Sequence, residues 1–327
     1  MVTVHKDMLV IQKIHGHSSK LFMSLSAPQI LSSNKVFPQY SSQVQKIILP
    51  GNRLHLQHGP INIIIKANGS SSCVKKAYGL AARRMDGMLE GLVNNLSLLR
   101  APLSFKKDIN INDATSKHMI STVRQYRNYF ITPMAAVAGA VADEILIAMS
   151  VVKGLNNIFV NNGGDIALFL GDGQKMKIGV VPDLSVAAPT ASVQITSKDD
   201  IRGIATSGWD GHSLSLGIAD AVTVLAKNAA VADTVATLIA NEVNCNANCI
   251  DRAQAFKIDP DSDLGKKLVT IKVGSLNKKE INDALNRGAR FAQKLIDKNK
   301  VFGVFIYLQG HNRSLGWPYQ NIEVKTQ

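Results

Sequence analysis

The sequence predicts a mixed α/β fold in which antiparallel or mixed sheets pack against helices. Short β-branched runs bounded by turn residues recur along the chain, and apolar residues at spacings of three or four mark long helices. At 327 residues the chain can bury a large core without disulfides. We expect a poorly specified N-terminal extension over residues 1–50. Residues 51–327 are predicted to form a single domain or two closely joined lobes.

The first half of the chain supplies one strand and three helices. Residues 61–65 are a β-branched run between Gly-Pro and Asn-Gly, typical of a buried strand. Apolar spacing predicts one long helix over 72–99, ended by Pro102, and a short helix over 114–126. After Pro133, residues 134–142 are almost all small and apolar, which predicts a tightly packed helix near the centre.

The second half alternates strands and helices. Strands are predicted over 158–160 and 166–170, split by an Asn-Asn-Gly-Gly-Asp turn, then over 176–181, 192–196, 221–225, 268–273 and 301–308. Helices are predicted over 229–243 and 279–298.

The net charge of +13 is distributed unevenly. Residues 134–250 carry a net charge of −5, which leaves +18 on the flanks. An acidic centre favours a small-molecule or metal site over a phosphate-backbone binder, and 6% aromatic residues supply few base-stacking surfaces. Nucleic-acid binding by the basic flanks is therefore the least favoured function.

The cysteines and the hydropathy indicate a cytoplasmic protein. Cys73, Cys245 and Cys249 are too few and too scattered for a disulfide framework, and no second pair of ligands accompanies Cys245 and Cys249 at zinc spacing. No stretch reaches the ~20 uninterrupted apolar residues of a membrane span. The apolar run 21–25 is shorter than the core of a secretion signal, so we expect no membrane association.

The Asn-Asn-Gly-Gly-Asp turn is the first candidate binding motif. Gly163 and Gly164 can adopt positive φ and direct successive N–H groups at an anion, although two glycines also suit a plain hairpin. Asp165 opens an otherwise apolar strand, where a buried carboxylate needs a partner. With Asn162, these residues are predicted to bind a cofactor.

The second candidate motif combines hydroxyls, bare backbone and one imidazole. Thr206, Ser207 and Gly208 offer two hydroxyls and an unshielded main chain, and His212-Ser213 follows across a turn. We predict that Thr206 to Gly208 and Ser213 contact the cofactor. His212 is either a loop histidine bonded to backbone or a catalytic proton carrier, for which its near-neutral titration suits it.

The third motif predicts a metal site. Asp233 and Thr237 are four residues apart on one face of an otherwise apolar helix, so a carboxylate and a hydroxyl can reach the same Mg²⁺ or Ca²⁺ ion. The alternative is a polar pair bonded to backbone. Asp143, Glu144 and Asp220 are interpreted as satisfied structural carboxylates.

The order of these motifs resembles the ApbE superfamily, whose best-known members are FAD-dependent, Mg²⁺-requiring flavin transferases. The resemblance is carried by Asn-Gly-Gly-Asp, by Ala-Thr-Ser-Gly, and by Ala-Asp-x-x-Ala-Thr after a Val-Thr-Val strand. It is stronger to an uncharacterised cytoplasmic branch, which shares residues 132–140, 211–217 and 220–224. The similar region runs from about Leu54 to Gly310 and includes 259–265.

The resemblance implies an α+β, ApbE-like and T-fold-like domain. It implies that Asp233 and Thr237 hold Mg²⁺, and that residues 163–165 and 206–208 line a cleft for FAD. The interval 209–219 lacks the Asp-Pro-x-Thr-Gly-like loop of the transferases, and no lipoprotein cysteine opens the chain. A similar region fused to an iron–sulfur segment in 6-hydroxynicotinate reductases suggests a redox-enzyme partner.

Two functions remain open beside nucleic-acid binding. The leading one is an ApbE-like protein that binds a flavin or another phosphate-bearing nucleotide with Mg²⁺ and carries out phosphoester or flavin transfer. The alternative is a non-catalytic protein that binds a metabolite or docks to a redox enzyme. The sequence leaves the reaction and the oligomeric state, monomer or homo-oligomer, undetermined.

Overall fold

A nine-stranded antiparallel sheet lies at the centre of the protein and confirms the expected α+β class. The computed structural model describes residues 4–5, 8–12, 43–103, 111–181, 191–211, 213–317 and 320–321. The strands are β1 (Val4–His5), β2 (Met8–Gln12), β3 (Gln45–Leu49), β4 (Arg53–His58), β5 (Ile61–Gly69), β6 (Leu155–Asn162), β7 (Asp165–Leu170), β8 (Lys175–Val181), β9 (Ala191–Thr196), β10 (Gly203–Ser207), β11 (Ala221–Ala226), β12 (Ile250–Gln254), β13 (Leu268–Val273), β14 (Gly303–Leu308), β15 (His311–Gly316) and β16 (Gln320–Asn321).

The helices flank this sheet. They are α1 (Ser71–Met85), α2 (Met88–Asn94), α3 (Leu96–Leu99), α4 (Ala114–Arg124), α5 (Val137–Ser150), α6 (Ala229–Glu242), α7 (Ala255–Ile258) and α8 (Lys278–Asp297), with a 3₁₀ turn over Pro133–Ala136 before α5. Asn228 begins α6 by accepting the amide of Val231 at 2.9 Å. Asn277 and Glu280 form a capping box at the start of α8.

Alternation along the central strands separates two cores. The nine-stranded sheet has the order β15-β14-β11-β10-β7-β6-β5-β4-β3, and a five-stranded sheet has the order β1-β2-β8-β9-β16. On β6, Ile158 and Val160 pack into the helix-covered core while Phe159 points to the opposite side. There it meets Ile178 and Val193 of the smaller sheet. The central strands are thus covered on both faces.

The structure corrects the expected long helix over 72–99. The chain ends α1 at Met85 and begins α2 at Met88, with Gly87 at φ 74° between them. A left-handed residue interrupts the helical hydrogen bonds, and glycine adopts it without steric cost. Apolar spacing continues through the break because α1 and α2 face the same core. The strands not expected from the sequence are β1, β2, β3, β4, β10, β12, β15 and β16.

Helices α5 and α6 form an antiparallel pair in which each caps the other. Asp143 of α5 accepts the amides of Ala229 and Ala230 at the start of α6, both at 2.9 Å. Asp233 of α6 accepts the amide of Gly139 at the start of α5, at 3.1 Å. Each carboxylate therefore satisfies amides that helix geometry leaves unpaired and lies at the positive end of the partner's dipole.

The small residues of α5 permit this close approach. The helical segment Pro133–Ser150 is long and apolar enough to cross a membrane by length and composition alone, but half of it is buried inside the protein. A buried core helix passes the same test. The polar contacts of Asp143 with α6 agree with that interpretation.

We expect Gly139→Ala to destabilise the protein. A β-carbon at this position would lie 2.7 Å from the Ala230 Cα and closer still to the Ala229 carbonyl, so the two helices would have to separate. Overpacking of this kind costs about 1–3 kcal/mol, whereas an alanine in an ordinary helix interior stabilises by up to about 1 kcal/mol.

Gly79→Ala in α1 is the matched control, because the β-carbon there would meet only the Arg83 side chain at 3.8 Å. Denaturant unfolding measures both variants. Equal stability of the two alanine variants would contradict the close-packing argument.

Candidate functional site

A cleft of about 260 Å³ opens between the N-terminal end of α5, the exposed side of α6 and the β6–β7 turn. Its lining also includes parts of the segments before α5, after β10 and after α7. The described lining residues are Pro60, Ile61, Arg100, Phe130, Ile131, Thr132, Met134, Ala135, Val137, Ala138, Val141, Asn162, Asp165, Ser213, Leu214, Asp233, Thr237, Asn241, Asp261, Asp263 and Leu264.

One face of α6 supplies three polar side chains to the cleft. Asp233, Thr237 and Asn241 follow each other at intervals of four residues, which places them in a row along the helix. Between Ala229 and Ala240 only Asp233 and Thr237 are partly accessible, and the other residues are buried. Asp233 and Thr237, the predicted metal pair, therefore both line the cleft, and their side chains are accessible from it.

Asp165 and Asp233 both line this cleft, and the negative charge of Asp233 acts on Asp165. Asp165 opens β7 and accepts the amide of Thr206 at 3.3 Å. Burial, reinforced by the neighbouring Asp233 carboxylate, raises the pKa of Asp165 well above its usual value, against the effect of that amide. Burial also raises the pKa of Asp233 to about 7; the amides of Gly139 and Ala138 oppose this shift, and the Asp143 charge adds to it. Two neighbouring carboxylates that repel each other form an attractive site for a cation.

The β6–β7 turn has the geometry of a two-residue hairpin, with Asn162 opposite Asp165. Gly163 and Gly164 have φ of 66° and 116°, and no atom lies within 4 Å of where their β-carbons would be. The Asn161 side chain accepts the amide of Gly164 at 3.0 Å. The two glycines are not part of the cleft lining, whereas Asn162 and Asp165 on either side of them are.

The Asn162 amide is oriented by α5. Its Nδ2 group donates to the Ala138 carbonyl oxygen at 3.1 Å, so the remaining Oδ1 is an acceptor at the cleft wall. Asn162 thereby joins the β6–β7 turn to the same helix end that holds Asp233.

The Thr206 to Gly208 segment lies next to the cleft but not in its lining. Thr206 and Ser207 end β10, and the Thr206 hydroxyl pairs with that of Thr223 at 2.9 Å. Gly208 packs against the Asp220 backbone, where a β-carbon would lie 2.8 Å from its carbonyl carbon. The absent side chain therefore permits close packing here.

The segment after the β10 turn contributes Ser213 to the lining. Ser213 is exposed. His212, the predicted proton carrier, lies outside the described residues, so its role stays a prediction.

A charged network lies behind the α5–α6 contact. His118 of α4 is 3.6 Å from both Asp143 and Glu144, and Arg84 of α1 donates to Glu144 at 2.7 Å. Burial disfavours the protonated form of His118, but the hydrogen bond to Glu144 and the two negative charges raise its pKa overall. Burial raises the pKa of Asp143 to about 6, against the effects of its two backbone amides and of His118.

This network agrees with the structural interpretation of Asp143 and Glu144. Asp220, the third carboxylate interpreted in this way, accepts from the Trp209 indole at 3.0 Å and from the Gln309 amide at 2.6 Å.

The rim opposite α6 contains residues that the motif analysis did not select. Arg100, the one cation among the described lining residues, lies 3.8 Å from Asp261, and the Thr132 hydroxyl donates to Asp263. Burial raises the pKa of Asp263, against the effect of Thr132. Only the tertiary fold brings these segments together. Asn241, in contrast, extends the four-residue spacing of Asp233 and Thr237 and could have been found.

The donor set fits a hard cation. Within the described part of the chain, no three His, Cys, Asp or Glu side chains are grouped to hold a metal. A cation here would depend on the carboxylates of Asp165 and Asp233 together with neutral oxygens from Thr237 and Asn162. Such oxygen ligands, completed by water or phosphate oxygens, are those that Mg²⁺ accepts.

The chain is similar to curated proteins of methanogenic archaea. It is 36% identical over 127 residues to a UPF0280 protein of Methanospirillum hungatei, a match covering 38% of this chain and 51% of the relative. It is 36% identical over 141 residues to a UPF0280 protein of Methanothermobacter thermautotrophicus, covering 41% and 54%. The chain thus spans about half the length of the curated relatives it matches.

Among solved structures, the flavinyl transferase ApbE of Pseudomonas stutzeri in its apo form aligns over 77% of this chain and 74% of its own. The sequence identity is 15% and the TM-score 0.30, values at which the family assignment has to rest on sequence alone.

A profile of the family described as AbpE bacteria matches residues 45–314. This match extends over most of the chain and includes every strand and helix around the cleft. The chain therefore belongs to the AbpE family of bacteria, the ApbE-like branch that its motifs indicate.

Proposed function

We propose that the cleft binds a flavin or another phosphate-bearing nucleotide together with Mg²⁺. The observation that carries the proposal is a pair of carboxylates, Asp165 and Asp233, that line one cleft together with neutral oxygen donors and have raised pKa values. A divalent cation between them relieves the repulsion and offers its remaining positions to phosphate oxygens. The family, and the resemblance of its motifs to FAD-dependent transferases, support a nucleotide as the ligand.

Each residue has a separate role in this proposal. Asp233 contributes one carboxylate oxygen, while its Oδ2 accepts a hydrogen bond from the Gly139 amide. This hydrogen bond holds the carboxylate in position before the cation binds. Thr237, one turn further, adds its hydroxyl. Asn162 and Asp165 approach from the opposite strand pair, and Ser213 and the turn glycines Gly163 and Gly164 are proposed to contact the phosphates. Thr206 holds Asp165 through its backbone amide, and Thr206, Ser207 and Gly208 are proposed to contact the cofactor beside the cleft.

The bound cation would neutralise charge on a diphosphate and stabilise an attacked phosphorus centre. Transfer also needs a proton carrier, the role proposed for His212. We propose a cytoplasmic location from the cysteine content.

Measuring turnover of FAD distinguishes the enzyme from the alternative, a non-catalytic metabolite-binding or redox-partner protein. An enzyme cleaves bound FAD in the presence of Mg²⁺, whereas a binding protein releases it intact.

Asp233→Asn is expected to abolish Mg²⁺-dependent binding of FAD. The variant keeps one oxygen for the Gly139 amide and should fold, but it loses the negative charge that holds the cation. In the wild type, Mg²⁺ and FAD at about 100-fold over their dissociation constant should stabilise the fold by about 2.7 kcal/mol.

Calorimetric titration and thermal unfolding measure these effects. Glu242→Gln is the matched control, because it removes a carboxylate from the same helix outside the cleft lining. Binding that is equal with and without Mg²⁺, or equal in Asp233→Asn and the wild type, would refute the proposed site.

The affinity for Mg²⁺ is expected to rise with pH. Because the pKa of Asp233 is about 7, protons compete with the cation below that value, and the affinity should be about tenfold lower at pH 6 than at pH 8. Titration of Mg²⁺ at constant ionic strength measures this dependence. An affinity independent of pH would show that Asp233 does not bind the ion.

The stability of the cation-free protein is expected to change in the opposite direction. A carboxyl whose pKa is raised on folding binds a proton more tightly in the folded state. Its stabilising contribution is therefore fully present below the unfolded pKa near 3.8 and is lost as pH rises through about 7. Thermal unfolding of the wild type and Asp233→Asn between pH 5 and 8 checks the sign: the wild type should lose more stability than the variant, and Mg²⁺ should restore it.

A further inference from the structure

Asn241 occupies the far end of the polar row on α6. It follows Thr237 by one turn and Asp233 by two turns, and all three side chains line the cleft. At 1.5 Å per residue, Asn241 is about 12 Å from Asp233 along the helix axis. A ligand whose phosphate lies at the cation site therefore extends toward Asn241 if it follows the helix.

The orientation of the Asn241 amide is fixed by its partners. Its Oδ1 accepts the backbone amide of Leu216 at 2.9 Å and the Ser215 hydroxyl at 3.4 Å. A backbone N–H can only donate, so the atom facing it is the oxygen, and the nitrogen lies on the other side. Among the described residues, none accepts a hydrogen bond from the Asn241 Nδ2 group, although the side chain is partly buried.

The cleft that Asn241 lines also has apolar walls. Met134, Leu214 and Leu264 line the same cleft with apolar side chains. A planar heteroaromatic group fits between such walls, and a few oriented polar groups then determine which ring is accepted. A donor left unpaired in such a place favours a ligand that supplies an acceptor.

We infer that Asn241 is a specificity-determining residue that donates to a carbonyl oxygen on the ring of the bound nucleotide or flavin. A ring carbonyl projects from the ring edge and presents two lone pairs, whereas a ring nitrogen presents one within the edge. The ligand class is thus a phosphate ester of an oxo-substituted heteroaromatic ring, such as a flavin or a guanine nucleotide. This inference rests on the proposed function, because the cation site sets the position of the phosphate.

The substitution Asn241→Asp isolates this donor. Aspartate keeps an acceptor for Leu216 and Ser215, so the segment packed on α6 stays in place, but a carboxylate oxygen replaces the donating amide group. Asn246→Asp is the matched control, since it adds the same charge at an exposed position five residues away and outside the cleft lining. The probes are FMN and inorganic pyrophosphate, each with Mg²⁺, and ADP as a nucleotide without a ring carbonyl.

We expect wild-type protein to bind pyrophosphate and FMN, and to bind FMN more tightly than ADP. Asn241→Asp should bind FMN about tenfold or more weakly, with unchanged pyrophosphate affinity and an unchanged melting temperature. Asn246→Asp should bind FMN as the wild type does.

The outcomes distinguish the inference from the proposed function. Unchanged FMN affinity in Asn241→Asp, with pyrophosphate bound normally, overturns the inference and leaves the cation site intact. A lower melting temperature together with loss of both probes also overturns it, since Asn241 would then only hold the fold. Failure of the wild type to bind FAD or any of the three probes with Mg²⁺ overturns the proposed function itself.

Discussion

The reciprocal capping of α5 and α6 is the interaction on which the rest of the site depends. Asp143 holds the amides of Ala229 and Ala230, and Asp233 holds the amide of Gly139, so each helix begins against a carboxylate of the other. The contact forms only because Gly139 has no side chain. It fixes the crossing of the two helices, and with it the position of every cleft residue on α6.

Asp233 therefore has two roles that compete for the same side chain. As a cap it benefits from the positive end of α5, which stabilises its charge. In the cleft, burial and the Asp143 charge favour the neutral form of Asp233, and the Asp233 charge in turn favours the neutral form of Asp165. These effects raise the pKa of Asp233 to about 7, so protons compete for this carboxylate near neutral pH. A side chain in this condition responds to whatever charge enters the cleft.

Local pattern selected Asp233 and Thr237 of α6, which line the cleft, but it did not select most of the other lining residues. The apolar surroundings of Asp233 and Thr237 were sufficient to select them, because a polar pair on a buried helix needs an explanation. The helix break at Gly87, where φ is positive, could not be predicted because the apolar spacing continues without interruption across it. Arg100, Thr132 and Asp263 could not be assigned to the cleft from sequence, because only the tertiary fold brings their segments together. The cofactor contact predicted for Gly208 stays a prediction, and its missing side chain also makes room for the Asp220 backbone.

Asp233 contacts the start of α5 and also lines the cleft. Under the proposed function, binding in the cleft would therefore be linked to the packing of the core. An ion that withdraws electron density from this carboxylate weakens its bond to Gly139, and a change that loosens the α5 terminus alters how the carboxylate meets the ion. Substitutions at the helix crossing, remote from any ligand, will therefore alter affinity. His118 and Arg84 contact Asp143 and Glu144 of α5, so under the proposed function they would be coupled to the cleft through that helix. Selection for binding and selection for a stable core therefore act on the same few residues in this fold.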